Sequence, residues 1–408
     1  MEEKRVAAKT SIAEEVSSNK RILYLVAIIV IGFNLRPAIT SVGPLLGTIR
    51  DQIGLENWSA GTITSLPLIA FAIVSPLAPK IGRRLGNEGA VLLGLILLFV
   101  GIGIRSIPIT PTLFIGTAII GVGIAVMNVL LPAVIKEKFP RKVGRMTSVY
   151  STSMAIFAAT ASGLSVPLAK GAGLGWELAL LSWALLASIG IVIWIFVIRQ
   201  TPTPKEEQVE LSNRSFNNSS LLKSPLAWQV TLFMGLQSFI FYVIVSWLPE
   251  IMQSFGFSVS AAGWLIAYVQ FVGLPSTFLA PVLAEKFSNQ QGIVLAISGG
   301  TVIGFIGLFI GGPLPLIFVW VTLIGITFGG AISLSLAMLG MRARNGRQAG
   351  DLSGMAQSIG YIFAAIGPLF IGLLFDITQT WGAPLIAIIV VCLLMMVAGL
   401  GAGRNKYV

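Results

Sequence analysis

Hydrophobic residues in this chain form long, nearly unbroken blocks that are separated by short polar segments. A helix that crosses the hydrocarbon core of a bilayer needs about 20 consecutive, mostly apolar residues. Twelve blocks have about this length, so the pattern predicts twelve transmembrane helices. We number these spans 1 to 12 in chain order; they cover residues 22–48, 59–79, 89–107, 112–135, 147–169, 176–198, 226–249, 260–284, 291–311, 314–339, 352–375 and 382–402.

One polar segment is longer than the others and divides the chain near its middle. Residues 199–225 contain Thr-Pro-Thr-Pro, a Lys-Glu-Glu run and an Asn/Ser-rich stretch, with too little apolar content to pack as a domain. We therefore predict an all-α membrane protein with five parts. They are a cytoplasmic N-terminal tail (1–21), a six-helix half (22–198), a cytoplasmic linker (199–225), a second six-helix half (226–402) and a cytoplasmic C-terminal tail (403–408).

The two halves repeat short sequences at one offset. Residues 141–144 (Arg-Lys-Val-Gly) recur as 347–350 (Arg-Gln-Ala-Gly), and Ile-Phe-Ala-Ala occurs at both 156–159 and 362–365. Both pairs are 206 positions apart, about half of the 408 residues. Matches in register favour two pseudo-symmetric halves, a plan known from transporters that bind solute midway through the membrane.

The composition excludes a soluble protein and argues against an enzyme. Hydrophobic residues make up 55% of the chain and charged residues 11%, with a mean hydropathy of +0.89, whereas soluble domains are about 25% charged. Histidine is absent, Cys392 is the single cysteine, and no span holds a central pair of carboxylates. Because metal sites and acid–base centres are built from such residues, we predict no metal, no cofactor and no enzymatic activity.

The distribution of positive charge predicts the orientation. The net charge of +11 is compatible with nucleic-acid binding, but 23 of the 27 Lys and Arg residues fall in tails and loops on one side of the predicted spans. Arg50, Arg105 and Lys170 fall on the other side. Because Lys- and Arg-rich loops stay in the cytoplasm, we predict a multi-pass protein of the cell membrane with both termini cytoplasmic. We expect a monomer in the lipid bilayer and no nucleic-acid partner.

Arg36 is the remaining one of the 27 Lys and Arg residues. The pattern places it deep inside a span, as the one charged side chain there. A charge at the bilayer centre costs about 2.5–3.5 kcal/mol on insertion scales, so it usually faces a cavity or a partner. Pro37 leaves the carbonyl of Phe33 without its helical donor and disfavours helical geometry at Arg36. We predict an irregular turn at which Arg36 faces an anionic or strongly polar solute. The alternative is a structural arginine held by carbonyls of neighbouring spans.

The loop after span 2 resembles the signature of the major facilitator superfamily. In residues 75–84, Lys80, Arg83 and Arg84 match the basic positions of that signature, while Pro79 stands where an aspartate is usual. In span 1, Asn-Leu-Arg-Pro followed by Val-Gly-Pro-Leu-Leu is similar to the opening of the bacterial cyanate and nitroimidazole transporter family. The resemblance implies a twelve-span major facilitator fold with a cavity lined by spans 1, 4, 7, 8 and 11.

Polar and aromatic residues on the spans are further candidates for solute contact. Such groups also hydrogen-bond between helices, so for each of them a purely structural role is an equal alternative. The predicted solute-binding residues are Arg36, Asn34, Thr40, Asn128, Tyr150, Gln237, Tyr242, Tyr268, Gln270, Gln357 and Tyr361.

These observations predict a secondary active or facilitative transporter that moves a small anionic or polar solute across the plasma membrane by alternating access. The family resemblance suggests a cyanate-like solute. An exporter of small drug-like compounds such as nitroimidazoles is one alternative, and a sensor with a transporter-like fold is another. Coupling to a proton is unproven, because only Glu250 and Asp376 among the carboxylates come close to lying within a span.

Overall fold

The computed structural model describes residues 22–54, 57–200 and 221–408. The predicted N-terminal tail and linker residues 201–220 lie outside the described residues. The regular secondary structure that the described residues form is helical. Eleven helices are long and apolar enough to cross a membrane, and a pair of helices bent by 60° supplies a twelfth span. The predicted twelve-helix membrane fold is thereby confirmed.

The spans have the following bounds: Ile22–Leu45, Asn57–Val74, Asn87–Arg105, Thr110–Lys138, Val143–Gly171, Gly175–Gln200, Pro225–Ser254, Trp264–Lys286, Gln291–Ile310, Leu314–Met341, Gly346–Thr378 and Gly382–Ala402. Spans 1 to 6 form the first half and spans 7 to 12 the second.

Some helices extend beyond the apolar blocks that predict them, because polar residues cap them. Span 11 begins at Gly346, six residues before the predicted start at residue 352. The Oδ1 atom of Asn345 accepts a hydrogen bond from the backbone N–H of Gln348 at 2.9 Å, which satisfies an otherwise unpaired amide of the first turn. An apolar pattern records only the part of a helix that is hydrophobic, so it misses such capped polar turns.

Span 2 ends in a bend at the signature loop. The helix Asn57–Val74 is followed by a second helix, Ala78–Leu85, at an angle of 60° to it. Pro76 and Pro79 lie at this bend, and proline cannot donate the backbone hydrogen bond that continues a helix. The basic signature residues therefore lie on a separate short helix.

A second arginine besides Arg36 is enclosed by the bundle: Arg105, which lies near the end of predicted span 3 (89–107). Arg105 is the last residue of span 3, and only 1% of its surface is exposed. Its Nη1 atom donates to the carbonyl of Ala38 at 2.5 Å. That carbonyl is available because the amide of Val42, its normal helical donor, bonds to Ile39 instead.

Arg342 is buried as well, just beyond the end of span 10. Its Nε and Nη2 atoms donate to the carbonyls of Ala402 and Gly403, at 2.7 and 3.1 Å. Burial lowers the pKa of the Arg342 guanidinium to about 10, although nearby Tyr407 opposes the shift. The side chain stays cationic at neutral pH and satisfies carbonyls that the end of span 12 leaves unpaired.

Candidate solute-binding site

Span 1 is broken at Arg36, as the following proline predicts. The first helix covers residues 22–34, and a short second helix covers Pro37–Thr40. Arg36 lies between them with φ −124° and ψ −37°. A proline disfavours α-helical geometry in the residue before it. The break releases Arg36 from the regular helix, and its side chain lines a cavity.

This cavity lies between the two halves of the chain. Its volume is about 40 Å³, which makes it a small cavity. Spans 1, 4 and 5 of the first half and spans 7, 10 and 11 of the second half surround it. The lining residues are Arg36, Asn128, Met154, Met234, Gln237, Ser238, Phe241, Tyr242, Ile332, Leu336, Gln357 and Tyr361.

The guanidinium of Arg36 lies among phenol groups and not among carboxylates. It lies near the phenol groups of Tyr242 and Tyr361. None of the ion pairs in the described part of the chain includes Arg36, and the described cavity lining holds no Asp or Glu. A phenol is a neutral acceptor. The surrounding side chains therefore do not neutralise the positive charge of Arg36.

Six of the eleven predicted residues share this cavity. The six are Arg36, Asn128, Gln237, Tyr242, Gln357 and Tyr361.

The rest of the lining is mostly apolar, and sequence analysis did not include it in the site. Helical spacing could have found three of these residues. Phe241 lies four positions after Gln237, Met234 lies three positions before it, and Met154 lies four positions after Tyr150. Ile332 and Leu336 belong to a span that is rich in such residues, so nothing in the sequence separates them from lipid-facing positions.

Asn34 and Thr40 bind neighbouring helices and are not part of the cavity lining. The Nδ2 atom of Asn34 donates to the carbonyls of Val30 at 2.8 Å and of Leu186, in span 6, at 3.2 Å. The Oγ1 atom of Thr40 donates to the carbonyl of Ala158, in span 5, at 3.0 Å. Both side chains hold span 1 against its neighbours.

Tyr150, Tyr268 and Gln270 also lie outside the cavity lining. Tyr150 is buried where span 5 passes span 1, and its carbonyl oxygen is 2.8 Å from the position that a Cβ on Gly32 would occupy. The Tyr268 hydroxyl hydrogen-bonds with Thr322 of span 10 at 3.0 Å, and Gln270 is exposed.

Two ion pairs join the halves on the side of the bundle where the C-terminal residues lie. Arg83 Nη1 is 2.7 Å from Asp351 Oδ1, and Arg145 Nε is 3.0 Å from Glu285 Oε1. Arg145 and Asp351 are 206 positions apart, which is the offset of the sequence repeat. Arg83 and Glu285 are 202 positions apart, so the two pairs occupy similar places in the two halves, with the charges exchanged. Together they hold this side of the bundle closed.

Hydrogen bonds from span 11 add to this closure, and prolines make their acceptors available. Gln357 Nε2 donates to the carbonyl of Asn128 at 2.9 Å, and Ser358 Oγ donates to the carbonyl of Ala72 at 2.7 Å. In both cases the residue four positions after the acceptor is a proline. The acceptor has thus lost its normal donor within its own helix, and a side chain of the other half replaces it.

A family model described as Major Facilitator Superfamily matches residues 23–368, and a second match covers residues 250–404. Together these matches span nearly the whole chain.

The chain belongs to the Major Facilitator Superfamily.

Individual transporters are similar to it over most of their length. An uncharacterized transporter of Bacillus subtilis (strain 168), YycB, is 50% identical over 94% of each chain. The 2-nitroimidazole transporter of Escherichia coli (strain K12) is 40% identical over 96% of this chain and 98% of its own. The cyanate transport protein CynX of the same organism is 26% identical over 88% and 91% of the two chains. These relatives confirm the resemblance stated from the signature and span 1 residues, and the expectation of a transporter that is not an enzyme.

The fold also matches that of solved superfamily members. The structure of the proton:xylose symporter XylE superimposes with a TM-score of 0.77, covering 96% of this chain and 98% of that one. The two sequences are 14% identical, so this likeness concerns the fold alone.

Proposed function

We propose that this superfamily member is a secondary active or facilitative transporter of a small anionic or strongly polar solute, with Arg36 as its main electrostatic contact. The proposal places it in the plasma membrane with both termini in the cytoplasm, where most of its Lys and Arg residues would lie. One observation carries the proposal. The guanidinium of Arg36 lines a cavity between the halves and has no carboxylate partner there.

An unneutralised guanidinium in a membrane interior favours a ligand that brings negative charge or several acceptor oxygens. Arg presents parallel N–H donors that match planar, two-oxygen groups. Cyanate carries a full negative charge, and the nitro group of 2-nitroimidazole offers two oxygens to such a donor pair. The solutes named for two relatives therefore share the acceptor chemistry that Arg36 would recognise.

We propose that transport proceeds by alternating access, with the halves rocking about the cavity. The contacts between the halves support this mechanism. Two ion pairs and side-chain hydrogen bonds from Ser148, Gln357 and Ser358 join the halves on one side of the bundle, and the cavity between the halves is small. Reaching the other state requires these contacts, and the packing around them, to separate.

Export of nitroimidazole-like compounds is the second candidate function. It is favoured by the 40% identity to the 2-nitroimidazole transporter. The two candidates differ in the solute and the direction of net flux, and they share the Arg36 contact. Proton coupling stays a prediction, because Glu250 and Asp376 are both exposed and neither lines the cavity.

The test is uptake of cyanate and of 2-nitroimidazole into proteoliposomes that contain the purified protein. We expect Arg36→Gln to lower the uptake of at least one of them by about tenfold or more, because a hydrogen bond to a charged group contributes about 1.5–3 kcal/mol. Arg36→Lys, which keeps the charge but not the planar donor pair, should retain part of the rate. Arg50→Gln removes an arginine just beyond the end of span 1 and serves as the control. A correctly folded Arg36→Gln protein that transports at the wild-type rate would show that Arg36 is structural.

A further inference from the structure

Gln237 is the cavity residue whose hydrogen bonding is incomplete. It lies on span 7 and lines the cavity, and only 4% of its surface is exposed. Its Nε2 atom donates to the Oγ atom of Ser238 at 2.8 Å. Its Oε1 atom is buried and has no hydrogen-bond partner among the described residues.

The neighbouring serine determines which end of the amide is left over. The Ser238 hydroxyl has one hydrogen, which it donates to the carbonyl of Met234 at 2.9 Å. Its oxygen can therefore only accept, so the N–H₂ end of the Gln237 amide faces it. With the Ser238 hydrogen on the carbonyl of Met234, rotating the amide by 180° would place two oxygen atoms against each other without a hydrogen between them. The carbonyl end of Gln237 thus remains without a donor.

Two other polar groups of the cavity, those of Arg36 and Tyr242, can donate. Arg36 donates only, and the nearby hydroxyl of Tyr242 has a hydrogen that it can donate to an acceptor. The site therefore offers donors on the Arg36 side and, at Gln237, a buried acceptor that no described residue pairs.

We infer that Gln237 selects solutes that carry an N–H or O–H donor in addition to the acceptor group that Arg36 binds. This inference rests on the proposed function and adds a second requirement to it. An anion or nitro compound with no hydrogen to donate leaves Oε1 of Gln237 buried and unpaired. A site built around a buried polar group rejects analogues that fail to pair it.

Matched ligand pairs test the inference. The first pair is 2-nitroimidazole and 1-methyl-2-nitroimidazole, which differ by one N–H. The second is 4-hydroxybenzoate and 4-methoxybenzoate, which differ by one O–H. A control compound, 4-methyl-2-nitroimidazole, adds the same bulk but keeps the N–H. Binding of each to the purified full chain is measured by calorimetry or by competition for uptake.

We expect the wild type to bind the donor-bearing member of at least one pair about 10- to 100-fold more tightly, from the cost of an unpaired buried polar group. Gln237→Met has a similar shape and no acceptor, so the ratio should fall to about one, whereas Gln237→Glu keeps an acceptor and should keep the preference. The same ratio in wild type and Gln237→Met overturns the inference and implies that a resident water pairs Oε1. Equal wild-type affinity within both pairs overturns it too. In either case, if binding of these compounds still depends on Arg36, the proposed function is retained. If none of these compounds binds, the inference about Gln237 and the proposed function are both overturned.

Discussion

The ion pair between Arg83 and Asp351 offers a direct test of how the halves are held together. The pair joins the short helix after span 2 to the start of span 11, with a 2.7 Å contact. Asp351→Asn removes the charge and keeps nearly the same shape. The substitution should therefore weaken the contact between the halves without disturbing either half.

The size of the effect follows from the burial of the pair. The side chains of Arg83 and Asp351 are 28% and 12% exposed, so the pair is neither freely solvated nor fully buried. Exposed pairs contribute about 0.2–1 kcal/mol, and hydrogen bonds to charged groups about 1.5–3 kcal/mol. An intermediate value of about 1–2 kcal/mol corresponds to a shift of about 5- to 30-fold in the ratio of closed to open molecules.

The shift can be measured as a distance between spin labels on the two halves. Arg84→Cys and Lys286→Cys place labels at exposed positions on the side that the ion pairs close. Cys392 is fully buried, so the introduced cysteines should be labelled selectively. In this background Asp351→Asn should increase the population of the longer distance, and exchanging the charges with Arg83→Asp and Asp351→Arg should restore the shorter one.

A second acidic residue provides the control. Asp51 pairs with Arg50 within the first half, and their side chains are 68% and 42% exposed. Asp51→Asn should leave the distance distribution unchanged. If both substitutions moved the distribution equally, or Asp351→Asn had no effect, the ion pair between the halves would not be what holds this side closed.

Two further predictions use the same fold. Gly32→Ala places a Cβ 2.8 Å from a backbone carbonyl of span 5, so we expect about 1–3 kcal/mol of destabilisation and a lower thermal unfolding temperature in detergent. The control Gly43→Ala, whose Cβ meets nothing within 4 Å, should change that temperature little. An equal loss in both variants would contradict the packing argument. Ser358→Ala removes a donor to the Ala72 carbonyl of the other half and should shift the spin-label distances in the same direction as Asp351→Asn, by about fivefold for a bond of about 1 kcal/mol. Its control is Ser153→Ala, because that hydroxyl donates within its own helix; an unchanged distribution in Ser358→Ala would rule out this bond as part of the closure.

The sequence by itself determined the number of spans, the likeness of the two halves and the break at Arg36. These properties are local or periodic. The length of an apolar block predicts a span because lipid cannot satisfy an unpaired backbone, and Pro37 predicts the break because proline lacks an N–H and crowds the residue before it.

Only the tertiary structure decided which polar residues meet. Gln237, Gln357 and Tyr361 share a cavity with Arg36, whereas Thr40, four positions along the same span, bonds to span 5 instead. The reason is that the sequence of a helix that is apolar on every side does not show which face turns toward the interior of the bundle. The rotation of such a helix is set by packing against neighbouring helices. The burial of Arg105 is set in the same way, because its acceptor is the carbonyl of Ala38 in span 1.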